Sequence, residues 1–76
     1  MEIYLKPADD YVLPGDEVNF YTVVESARQQ GQIAIGYRLH SEAGNAAAAY
    51  GVHINPRKCG RITFAAEDKV IVLAES

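Results

Sequence analysis

The stretch Arg57-Lys58-Cys59-Gly60-Arg61 places three cations in one loop-like segment, and Arg38 closes an alternating run with His40 two positions later. Guanidinium and ammonium groups brought together hold anions through charge-assisted hydrogen bonds. Arg38, Arg57, Lys58 and Arg61 are therefore the candidate binding residues for a small anionic ligand, with a solvated loop as the alternative. Cys59 sits among cations that favour a thiolate, although a small residue in a loop is the simpler account. The histidines, His40 and His53, and Cys59 show no C-x-x-C or H-E-x-x-H spacing, so no metal site is expected. No nucleophile stands beside a base, and no catalysis is expected.

Acidic pairs occur at Asp9-Asp10, Asp16-Glu17 and Glu67-Asp68, each next to a turn, where carboxylates bond to local backbone amides or face water. No calcium-loop spacing gathers them, and a cation would need ligands from distant turns or from two subunits. The glycines are scattered, with neither G-x-G-x-x-G nor a P-loop. No cofactor is expected.

The elements that must position these residues follow from periodicity. Phe20, Val23, Val24 and Ala27 recur at helical spacing, with Asn19 placed to cap and Gly31 placed to end a helix over about 20 to 30. Residues 2–5 read as a short strand, Lys6 to Asp10 as a turn, 11–13 as an extended piece, and Leu13-Pro14-Gly15-Asp16 as a tight turn. Ile33, Ile35, Tyr37 and Leu39 alternate with Ala34, Gly36, Arg38 and His40, as in a strand covered on one face. Tyr50, Val52 and Ile54 give another strand, ended by Pro56. Residues 61–64 give a brief one, and Val70-Ile71-Val72-Leu73 a β-branched run suited to a central position. The four alanines from Ala46 to Ala49 fit a short helical turn or a loop. The fold class expected is α+β: a small mixed sheet of four to five strands with one main helix packed on one face.

One helix covers only part of such a sheet, so Ile54, Phe64 and the outer face of the 33–39 strand are expected to lack cover and to seek a partner. With 76 residues the chain makes one small domain that hides little more than ~60% of its unfolded surface. A homodimer is the expected partner. Apolar residues form 49% and charged ones 22%, values of a folded globular chain. Seven basic residues against ten acidic ones, a net charge of −3, argue against nucleic-acid binding. No apolar run approaches the ~20 residues of a membrane span, so no direct membrane insertion is expected. A single cysteine fits a reducing, cytoplasmic setting.

From Glu17 to Glu75 the chain resembles the TrkA-C or RCK-C regulatory domain. The residues that carry the likeness are Val18-Asn19-Phe20 to Ala27, then Gln30-Gly31, then the run Ile33-Ala34-Ile35-Gly36-Tyr37-Arg38 with its terminal arginine. Ile54-Asn55-Pro56 and Glu67-Asp68-Lys69-Val70-Ile71-Val72-Leu73 complete it. Glu67 stands where that family usually has glycine, and Ala46 to Ala49 lengthen a connection. The wording from Glu25 to Arg38 is similar to bacterial relatives of the Castor and Pollux ion channels. The resemblance implies that residues 1–76 are one regulatory domain of a longer potassium or ion-transport protein. It further implies a cytoplasmic, dimerising module that binds a small anionic effector or a cation. Such a module is linked to a nucleotide-binding domain and a membrane pore. It implies no catalysis. The competing expectation is a standalone interaction module of β-grasp type.

Overall fold

The computed structural model describes residues 1–75. Six strands and one α-helix follow in the order β1 (Glu2–Pro7), β2 (Glu17–Asn19), α1 (Phe20–Gln29), β3 (Ile33–Arg38), β4 (Val52–Ile54), β5 (Arg61–Thr63) and β6 (Lys69–Ala74). The main sheet has the order β1-β6-β3-β4, and β2 and β5 form a separate ribbon. The expected α+β architecture with one main helix is present. The sheet is not mixed, because every ladder in it is antiparallel. β6 is interior, as its run of β-branched residues requires: Val70, Ile71 and Val72 are all buried between β1 and β3.

The helix begins and ends through local chemistry. Asn19 is extended and its side-chain oxygen accepts the Thr22 amide at 3.0 Å, satisfying a donor that the first turn leaves free. At the other end Gly31 adopts φ +74°, its amide bonds to the Arg28 carbonyl and that of Gln32 to the Ala27 carbonyl. This left-handed glycine closure supplies acceptors' partners that the last turn would otherwise lack. Phe20, Val23 and Ala27 are buried on the sheet. Asn19→Ala is expected to cost about 1 kcal/mol of stability, read as a lowered urea midpoint at unchanged m-value.

Two expectations about burial are corrected. The alternation in β3 does not run uninterrupted, because Ala34 pairs with Val72 and Gly36 with Ile71, leaving Ile35 as an extra residue. This bulge lets Ala34 and Tyr37 both pack on the core, whereas Ile33 turns outward. Gly36 is the residue that fits here: a Cβ would lie 2.3 Å from the His53 carbonyl oxygen on β4. Phe64 is not a bare position. It is 1% exposed and meets Tyr37 edge-on with ring centroids 5.4 Å apart. Ile54, by contrast, is 58% exposed, as expected.

Residues 11–13 form no strand. Ala8–Asp10 make a 3-10 turn that swings Tyr11 and Val12 into the core, and the Tyr11 hydroxyl donates to Gln32 Oε1 at 2.5 Å. The alanine segment is helical in short turns, Ala46–Gly51, and ends with Ala49, Tyr50 and Gly51 all at positive φ before β4 starts.

Candidate functional site

β3 and β6 run side by side, and their register sets Arg38 directly opposite Lys69. Like charges in that position repel, since their Cβ atoms are only about 4.5–5.5 Å apart. Neither side chain makes an ion pair with another described residue. Both line a cavity of about 240 Å³ with His40, Ala43 and Glu67. The lining carries two cations without an ion pair and an imidazole against the Glu67 carboxylate, with the buried Asp68 carboxylate bonded to the His40 amide beside them; guanidinium and ammonium groups form charge-assisted bonds with anions.

The walls of this hollow are tied to the core by Asp68, a buried polar residue, 4% exposed. Its carboxylate accepts the His40 amide and the Ala65 amide, each at 2.8 Å. Its own carbonyl accepts the Ala8 amide at 2.9 Å. The ends of β1 and β3 and the turn before β6 are thereby fixed to one another. On β4, His53 stacks on Tyr37 with centroids 4.7 Å apart and reaches Glu42 Oε1 at 3.3 Å. Burial pushes the Tyr37 phenol pKa up, and the negative charge of Glu42 adds to the shift.

The four candidate cations do not line a single cavity. Arg38 lines the hollow just described. Arg61 lines a second, more open cavity of about 530 Å³ with Glu17, Val18, Asn19, Thr22 and Cys59. There its guanidinium is already paired with Glu17 Oε1 at 3.2 Å, so the second cavity holds less free positive charge despite its size. Arg57 and Lys58 are exposed and line neither cavity. Their carbonyl groups accept the Gly60 and Tyr21 amides, which shapes the loop around the helix start. By sequence Lys69 is not among the candidate binding residues, and Glu67 stands as half of an acidic pair and as a departure from the resembled family's glycine, not as part of an anion site. Lys69 becomes a site residue only through its pairing with Arg38, which no local spacing reveals.

Cys59 is exposed and free. Among the described residues no three histidine, cysteine, aspartate or glutamate side chains come together as a metal would need. No described helix is long and apolar enough to cross a membrane.

No protein-family model matches the chain. Nearly all of it is similar to one short segment of plant ion channels. It is 36% identical over 74 residues to the ion channel CASTOR of Lotus japonicus, covering 97% of this chain and 8% of that protein. It is 37% identical over 76 residues to the probable ion channel POLLUX of Arabidopsis thaliana, covering 99% and 8%. The probable ion channel CASTOR of Oryza sativa subsp. japonica is 34% identical over 74 residues, with 97% and 8% covered. The chain thus spans under a tenth of the length of these relatives. It is related to an ion-channel-associated segment, and the relatives are named as ion channels.

Proposed function

We propose that this chain is a non-catalytic regulatory domain of an ion-channel protein, a cytoplasmic, dimerising module of TrkA-C or RCK-C kind that senses a small anionic effector. The effector enters the hollow between Arg38, His40 and Lys69. The observation that carries the reading is the extent of similarity: almost the whole of this chain corresponds to a small part of proteins named as ion channels. A domain of this size attached to a pore works by favouring one arrangement of its neighbours over another. A preference of ~1–3 kcal/mol on effector binding is sufficient. Arg57, Lys58 and Arg61 then shape the helix-start loop and its surface charge, with Arg38 the member of that set that meets the effector.

Isothermal calorimetry with pyrophosphate and with cyclic dinucleotides tests this. The Arg38→Gln, Lys69→Gln pair is expected to weaken binding by about tenfold or more, because each charged hydrogen bond contributes roughly 1.5–3 kcal/mol. An Arg57→Ala, Lys58→Ala pair is expected to bind like the parent chain. Equal affinities for the parent and the Arg38, Lys69 variant would remove this site.

A further inference from the structure

Glu67 is the charged group of the hollow that a plain anion leaves without a partner. It lies in the turn that leads into β6, two residues before Lys69, and both line the hollow while Asp68 between them is buried. Arg38 enters from β3, opposite Lys69. Among the described residues Glu67, like Arg38 and Lys69, makes no ion pair. One small hollow therefore presents unpaired charge of both signs. With Asp68 included, two carboxylates stand against two cations, so an anion that enters meets repulsion as well as attraction.

We propose that the effector of this hollow is a small anion that also carries a protonated amine, of the acidic amino-acid class. Its two carboxylates meet Arg38 and Lys69, and its ammonium group meets Glu67. The proposal rests on the effector reading of this site and deepens it by naming the ligand class. Arg38 offers a planar fork that matches a carboxylate, and Lys69 a compact charge that takes a second one. The His40 ring adds a hydrogen-bonding nitrogen at the same wall. An ammonium turned toward Glu67 converts the one repulsive contact into a charge-assisted bond. The ligand then supplies each charged side chain with the partner that the chain itself does not.

Size and lining set aside the other classes. A volume of about 240 Å³ is that of roughly eight waters in the liquid, which suits a molecule of about ten non-hydrogen atoms. No aromatic ring lines the hollow, so a nucleobase finds neither room nor a surface to stack on. A hard metal cation needs several oxygen ligands, whereas the Asp68 carboxylate already accepts two backbone amides and two cations stand beside Glu67.

L-aspartate and succinate test the proposal directly, because succinate has the same two carboxylates and lacks the amine. In amide chemical-shift titrations at neutral pH, the parent chain is expected to bind L-aspartate at least about fivefold more tightly than succinate, the scale of one solvent-accessible charge pair. The shifts should centre on Arg38, His40, Glu67 and Lys69. Glu67→Gln, at an exposed position, should erase the preference by weakening L-aspartate and strengthening succinate, with the circular dichroism spectrum retained. The comparison of ligands on the parent chain stands without any variant. Succinate bound as tightly as L-aspartate, or a preference that survives Glu67→Gln, would overturn the ligand class. Pyrophosphate bound through Arg38 and Lys69 with no response to L-aspartate would also overturn it, and would leave the effector site standing. If none of these anions moves the amides of the hollow, the effector site falls and this proposal falls with it.

Discussion

Phe64→Ala is expected to lower stability by about 3–5 kcal/mol, the cost of deleting a buried aromatic ring and leaving a cavity that its neighbours cannot close. The ring is 1% exposed and is held edge-on against Tyr37, whose own ring stands 6.1 Å from that of Phe20. Removing it opens space in the core cluster that Phe64 shares with Phe20 and Val23 of the helix. A chain this short has roughly 5–15 kcal/mol of total stability and sits toward the low end, so the loss is a large fraction of the whole. Urea unfolding followed by far-ultraviolet circular dichroism and by tyrosine emission would measure it; the chain has five tyrosines and no tryptophan, so no indole signal competes. Phe64→Leu, which keeps most of the volume, is expected to lose less than about 1.5 kcal/mol. A Phe64→Ala loss below ~1 kcal/mol would mean that the ring is not packed as described.

That Phe64 is buried could not be read from its neighbours in sequence, and the reason separates what was legible from what was not. The helix could be bounded because its signals are local: the Asn19 cap, the apolar stripe and Gly31 at the left-handed closing position all lie within one segment. The interior place of β6 was legible for a similar reason, since a continuous run of β-branched residues fits only a strand covered on both sides. Phe64 depends instead on a ribbon formed by β2 and β5, elements some forty residues apart in sequence, with Glu17 opposite Thr63. The facing of β3 likewise depends on a partner, because the bulge at Ile35 is visible only once Ala34 and Gly36 are matched to Val72 and Ile71. The candidate site divides along the same line. Arg38 stands out by residue type at a strand end, whereas Lys69 acquires meaning from the register that sets it opposite Arg38.

Asp68→Ala is expected to cost about 2–4 kcal/mol and to abolish anion binding with it. Substitution removes the ionised acceptor of two part-buried bonds, from the amides of His40 and Ala65, and a hydrogen bond to a charged group contributes roughly 1.5–3 kcal/mol before solvent replaces part of it. Asp68→Asn keeps one acceptor oxygen but turns an amide donor toward the other backbone N–H, so about half of that loss should remain. The consequence for function comes from position. His40 and Lys69 both line the hollow, and Asp68 is bonded to the first and adjacent in sequence to the second. Without it the segment after β3 and the turn before β6 are free to separate, which moves apart the Arg38, Lys69 and His40 side chains that the proposed effector site needs together. The asparagine variant makes this measurable apart from unfolding: at a temperature where it is fully folded, pyrophosphate affinity should fall several-fold although no effector-contacting side chain has changed. An asparagine variant with parental affinity would show that the hollow holds its shape without this carboxylate, and that the backbone bonds of the sheet alone keep Arg38 facing Lys69.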